Sequence, residues 1–167
     1  MRNLPSTTVR FLLLSGLTFL LAACGFHLRQ SAALPAGMQQ VHVSVVGDAD
    51  LADQLESELI QAGAQIADKS GPGVAELNVE ARFETRALTV SSFARVREFS
   101  VSYRSRFVAT GMDGAQLLAP QTLDMQREFT YDRTQALGTA TREEQIRASL
   151  VKDMARAILR RLQAASK

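Results

Sequence analysis

The sequence predicts an α+β domain: a mostly antiparallel or mixed sheet of four to five strands with two α-helices packed on one face. Three observations carry this reading. Two long stretches, Ala75 to Arg86 and Glu98 to Ala109, alternate apolar and polar residues with the period of a half-buried strand. Two others repeat apolar residues about every four positions behind capping signals, the period of an amphipathic helix. Their order is strand, helix, strand, a three-strand run, helix, which leaves two helices for one sheet face.

The elements follow in turn. Leu34-Pro35-Ala36-Gly37 reads as a turn. Gln40 to Val46, β-branched and uncharged, reads as a first strand. Asp50 offers a helix N-cap with Asp53 three residues on, and Leu51, Leu55 and Leu59 form the apolar stripe behind it. Gly63 closes this helix, because a C-terminal residue at positive φ favours glycine. Ala64 to Ala67 is a short second strand, and Lys69 to Gly73 a loop.

In the long strand that follows, Ala75, Leu77, Val79, Ala81 and Phe83 share one face, while Glu76, Asn78, Glu80, Arg82, Glu84 and Arg86 share the other. After a loop from Leu88 to Ala94, Phe99, Val101, Tyr103, Phe107 and Ala109 point inward, and Glu98, Ser100, Ser102, Arg104 and Arg106 outward. Met112-Asp113-Gly114 is a hairpin turn signal. The last strand, about Leu117 to Tyr131, turns Leu123, Met125, Phe129 and Tyr131 inward. Arg127 has the same parity, so either a bulge moves it outward or it reaches past the sheet edge. The closing helix is expected to start at the Thr141-Arg142-Glu143-Glu144 capping box and to bury Ile146, Leu150, Met154, Ile158 and Leu162.

Ahead of the domain stands a segment built like a secretory signal: Arg2 and Arg10, an eleven-residue apolar run from Phe11 to Leu21, then small Ala22 and Ala23. A membrane span needs roughly 20 apolar residues, and lengthening this run so far takes in Arg10 and Pro5. Leu21-Ala22-Ala23-Cys24-Gly25 resembles the lipobox of bacterial lipoproteins, and Cys24 is the sole cysteine. The organisation expected is a cleaved lipoprotein signal peptide over 1–23, a lipid-anchored tether over 24–38 and one α+β domain over 39–165. The resemblance makes Cys24 the expected lipidation site, its acyl chains holding the protein at the bilayer. Gly25 rather than aspartate after that cysteine implies the periplasmic side of the outer membrane, by resemblance to sorted lipoproteins.

Composition narrows the function. The full chain carries 19 basic and 17 acidic residues. The excess is Arg2 and Arg10, both in the leader, so the mature chain is neutral and its charge gives no argument for nucleic acid. The distribution is uneven: eight acids but only Lys69 lie between Gly47 and Glu80, and six arginines against two acids between Ala81 and Phe107. Such a dipole orients a domain towards an anionic partner. With His27 and His42 as the only histidines and Cys24 the only cysteine, no metal site of usual spacing can be assembled, and no cofactor beyond the lipid on Cys24 is expected. No nucleophile elbow, phosphate loop or zinc-protease motif occurs, so the chain is not expected to be an enzyme.

Several features then coincide. Cys24-Gly25-Phe26-His27-Leu28-Arg29 follows the lipobox, a Leu34-Pro35 turn precedes the first strand, and Arg127-Glu128-Phe129-Thr130-Tyr131-Asp132 precedes Ala136-Leu137-Gly138. The closing helix carries Met154-Ala155 and Ile158-Leu159-Arg160-Arg161-Leu162. In order and spacing these resemble the LPS-assembly lipoprotein family LptE, the lipoprotein subunit of the outer-membrane lipopolysaccharide translocon.

The resemblance implies an outer-membrane lipoprotein that plugs the β-barrel subunit of that translocon (LptD-like), binds lipopolysaccharide (LPS) through basic side chains, and helps its delivery to the outer leaflet. Arg95 is the closest match to an arginine the family carries near the central strand, whereas a lysine it carries before the last helix has no counterpart among Thr139, Ala140 and Arg142. The candidate LPS-binding residues are Arg95, Arg97, Arg104 and Arg106. The plainer reading of these arginines is a surface ladder with Glu76, Glu80 and Glu84. The alternative function is a tethered periplasmic lipid-binding carrier, which requires an enclosed apolar cavity between sheet and helices.

Overall fold

Alternating strands and leucine-striped helices leave one apolar face each, and the chain folds by bringing those faces together. The computed structural model describes residues 33–88, 96–132 and 136–165. The leader, Cys24, most of the tether and Arg95 lie outside the described residues.

Met38, just past the Pro35 turn, is buried against the core, so the chain is already packed before the first strand begins. In β1 (Gln40–Val46) the β-branched Val41, Val43 and Val45 turn towards the core. Gly47 follows with φ of 99°, and a side chain there would collide with the Ala81 carbonyl of the neighbouring strand. The turn thus needs glycine for both conformation and space.

Helix α1 (Ala49–Gln61) starts two residues earlier than the Asp50 cap predicts. Asp48 is the N-cap: its backbone is extended, and its Oδ1 accepts the Leu51 N–H at 3.3 Å. Asp50 falls in the first turn, where its charge suits the helix dipole. At the far end Gly63 N–H donates to the Ile60 carbonyl and Ala64 N–H to that of Leu59, with Gly63 at positive φ. This is the paired bonding of a Schellman motif, as the glycine predicts. Leu51, Leu55 and Leu59 are buried, each worth about 1.5–3 kcal/mol of transfer free energy.

The second strand, β2 (Gln65–Ile66), is two residues long and parallel to β1. The helix between them supplies the crossover that a parallel pair needs. Then β3 (Ala75–Ala87), β4 (Val96–Thr110) and β5 (Gln116–Asp132) form an antiparallel meander. The sheet order is β2-β1-β3-β4-β5, with β1 parallel to β3. The fold is therefore α+β with a mixed five-stranded sheet, as predicted. The β4–β5 turn uses the Asp-Gly signal: Asp113 Oδ1 accepts the Ala115 N–H at 3.0 Å, and Gly114 has φ of 78°.

Ala75, Leu77, Val79 and Ala81 on β3 and Val101, Tyr103, Phe107 and Ala109 on β4 are buried, as alternation predicts. Ser105 shares that face; it is fully buried, and its hydroxyl has no partner among the described residues. Leu118 is buried although its parity opposes that of Leu123. Register shifts between the Phe107–Gln121 and Thr110–Gln116 pairs account for this, and Pro120 sits within them. A bulge on an edge strand is where proline is tolerated.

Helix α2 (Ala136–Ala164) begins five residues before the expected capping box. Thr141 to Glu144 lie inside the helix and not at its start, where a capping residue has extended backbone. Leu150, Met154, Ile158 and Leu162 are buried on its inner face, with Ile146 packed at the margin. The helix lies over β4 and β5 and against α1, so both helices cover one face of the sheet. Arg127 stays inward in register, opposite Val101, and reaches beyond the strand to Asp153 of α2 at 2.9 Å. Of the two expectations for Arg127, reaching past the edge is the one observed.

Candidate functional site

The sheet face turned away from the helices carries even-numbered residues of β3 and β4 and, past the register shifts, of β5. Two rows cross it by strand register. One runs Val46, Glu80, Arg106, Thr122; the next runs Arg82, Arg104, Asp124. Arg104 donates from Nε to Asp124 Oδ1 at 2.5 Å, with both side chains about half exposed (54% and 56%). Arg82 stands directly opposite Arg104, a like-charge pair of the kind that destabilises a sheet. Arg106 faces Glu80 across the ladder, yet neither Arg82 nor Arg106 forms an ion pair among the described residues. Glu84 is taken up by Arg86 on its own strand at 2.7 Å.

A groove of about 390 Å³ opens between these rows, lined by Val46, Gly47, Glu80, Ala81, Arg82, Arg104, Arg106 and Thr122. A second, of about 350 Å³, continues past Val46 and Arg106 to Val108 and Pro120. Val46 is 65% exposed, an apolar lip between arginine-lined walls. The lining suits an amphiphile: guanidinium forks for an oxyanion and a strip of carbon beside them.

Arg104 and Arg106 are thus brought together, as their spacing predicts. Arg97 enters the ladder opposite Tyr131, out of phase with Arg104 and Arg106, and its side chain lies outside the described residues, as does Arg95 altogether. Arg82 and Asp124 were not among the sequence candidates. No short motif marks either, since both owe their place to strand register.

On the helix side the arginines serve packing. Arg147 lies over the Phe83 ring, 4.7 Å from its centroid, and donates to Thr85 Oγ1 and Glu143 Oε1 at 3.0 Å each. Phe83 stacks on Tyr103 at 3.9 Å, and the Tyr103 hydroxyl donates to Asp48 Oδ2 at 2.7 Å. Burial, and then the Asp48 carboxylate beside it, hold the Tyr103 phenol well above its ordinary pKa, so it remains a donor. Arg156 joins α2 to Glu58 of α1 at 3.2 Å. An open cleft of about 650 Å³ between β5 and α2 is lined by Arg127, Thr141, Arg142, Gln145, Ile146 and Ser149.

Among the described residues, no group of three or more His, Cys, Asp or Glu is placed to hold a metal, and no helix is long and apolar enough to cross a membrane. Between sheet and helices stand fully buried Leu51, Leu55, Leu59, Met154, Ile158 and Leu162.

Fold and surface define a two-layer α+β domain with one helix-covered and one open, charged sheet face. Solved bacterial lipoproteins have this architecture. The chain is similar to the solution structure of an uncharacterized lipoprotein B from Nitrosomonas europaea, with 28% identity and a TM-score of 0.68 over 84% of this chain and 91% of that one. It shares its fold with a minor lipoprotein from Acinetobacter baumannii (20% identity, TM-score 0.61, 78% of this chain and 94% of that one). The same holds for the rare lipoprotein B from Shewanella oneidensis (19% identity, TM-score 0.60, 72% and 91%). No curated protein matches the sequence. The family model LptE, described as lipopolysaccharide-assembly, matches residues 38–162, and the chain belongs to that family. Its role accordingly lies in lipopolysaccharide assembly.

Proposed function

We propose that the protein is held by acyl groups on Cys24 at the periplasmic side of the outer membrane, after loss of residues 1–23. There it assembles with and plugs the LptD-like β-barrel subunit of the LPS translocon, binds LPS, and helps deliver it to the outer leaflet. The observation that carries this reading is the open sheet face. Three of its arginines, Arg82, Arg104 and Arg106, lie within two adjacent rows, and only Arg104 has a carboxylate partner among the described residues.

The physical fit has two parts. A barrel lumen is polar, so a plug must carry its own core and present a polar exterior. Here the leucine-filled layer between sheet and helices is the core, and the strand face is the exterior. LPS presents phosphates on its lipid, and arginine holds phosphate oxygens through paired N–H donors. The carrier alternative needs an acyl-sized enclosure between sheet and helices, where the structure has close-packed leucine, methionine and isoleucine.

Double charge reversal, Arg104→Glu with Arg106→Glu, separates the two roles. LPS capture by the purified full-length protein is expected to fall at least about tenfold, as for loss of two charge-assisted contacts, while co-purification with the barrel from outer membranes persists. Unchanged LPS capture would contradict the site. Recovery of the wild-type protein as a free monomer in mild detergent would contradict the assembly.

A further inference from the structure

We propose that Arg82, Arg104 and Arg106 form one fork that selects a phosphate monoester over the phosphodiesters of ordinary phospholipids, with Asp124 as the competing anion that guards its Arg104 arm. This rests on the reading that the open face meets a lipid phosphate, and adds which phosphate it accepts.

Three observations carry it. First, two arginines occupy directly opposed positions, Arg82 and Arg104, where like charges repel. An anion placed between them relieves this. Second, Asp124 already supplies such an anion, but to Arg104 Nε alone; the remaining N–H groups of Arg104 and all those of Arg82 and Arg106 have no partner among the described residues. Third, the groove that these guanidiniums line is bordered by Gly47 and Ala81 and lipped by exposed Val46.

The occupant that matches is a phosphorylated amphiphile, its phosphate at the arginines and its carbon chain or sugar along Val46 towards Pro120. To seat it, the phosphate must take Arg104 from Asp124 and tolerate Glu80, which lines the same groove. The exposed pair is worth only about 0–1 kcal/mol, so displacement is feasible. A dianionic monoester gains from all three guanidiniums and outbids the carboxylate. A singly charged diester gains about half as much, while facing the same two acids. The preference therefore comes from the three guanidiniums, and Asp124 competes equally with either ligand and lowers the affinity for both.

The test uses the full chain in nonionic detergent micelles doped with one lipid at a time: lipid A, phosphatidic acid or phosphatidylglycerol, with inorganic phosphate as a soluble competitor. Wild type is expected to bind the two monoesters more tightly than phosphatidylglycerol, and inorganic phosphate to compete weakly because it lacks the apolar part. Asp124→Asn is expected to tighten monoester and diester binding alike, by about two- to five-fold, the worth of an exposed ion pair, and to leave the preference in place. Arg82→Ala is expected to weaken monoester binding about tenfold, as for one charged hydrogen-bonding partner, while melting at the same or a higher temperature because a like-charge opposition is gone.

Equal wild-type affinity for monoester and diester, unchanged affinities in Asp124→Asn, or wild-type binding in Arg82→Ala overturns the inference. If wild type binds lipid A, and the Arg104→Glu, Arg106→Glu protein does not, that failure is confined to the fork and its guard. If wild type binds none of the lipids, the lipid-contact reading falls with it.

Discussion

Tyr103 shows how much one hydroxyl can hold. It stacks on Phe83, closes the second oxygen of the Asp48 cap, and so ties β4 to the start of α1. Removing the hydroxyl in Tyr103→Phe is expected to cost about 2 kcal/mol at neutral pH, the worth of a hydrogen bond to a charged acceptor. The cost should shrink at high pH. The phenol is raised in the folded state, so above the unfolded value of about 10 the unfolded chain loses its proton first and the native state is destabilised as pH rises. Tyr103→Phe lacks that loss. Chemical denaturation at neutral pH and above pH ~10 checks it; a difference between the two proteins that stays constant would contradict the assignment.

Among elements, the turn from β1 into α1 is the least tolerant of change. Gly47, Gly63 and Gly73 all have positive φ, but only at Gly47 would an added Cβ meet backbone, the Ala81 carbonyl. Gly63→Ala is expected to cost about 1 kcal/mol, the strain of left-handed backbone, and Gly47→Ala about 3 kcal/mol or more, since two packed strands must part. Thermal melts of the pair measure the difference, and equal losses would show that β1 and β3 can move apart.

The same comparison of elements explains what sequence could and could not reveal. Leu51, Leu55, Leu59 and Gly63 carried α1 because a helix stripe and its terminator are local signals. The Asp48 cap was missed because Asp50, two residues on, offers the same chemistry, and only Tyr103, distant in sequence, favours the earlier one. The α2 start was missed because a capping-box sequence can also lie inside a helix that begins upstream at Ala136. Alternation placed the open face correctly on β3 and β4. It could not set Arg82 against Arg104, because the β3–β4 connection fixes no register by motif. Nor could it find Asp124: continuing the Thr110–Gln116 register past the bulges would set Thr122 opposite Arg104 instead.

For the whole molecule, the two faces of the sheet divide the labour. The inner face spends its apolar residues on two helices, and Arg127, Arg147 and Arg156 fasten α2 to β5, β3 and α1. The outer face keeps its arginines for something else. Family membership assigns that activity to lipopolysaccharide assembly, and our reading locates the lipid contact on the outer face. Photocrosslinking in cells tests it most directly, with a photoreactive side chain placed at position 46 on the lip of the open-face groove or at position 53 on the exposed side of α1. The account predicts LPS adducts from position 46 and none from position 53. Adducts from position 53 alone, or equally from both, would contradict it.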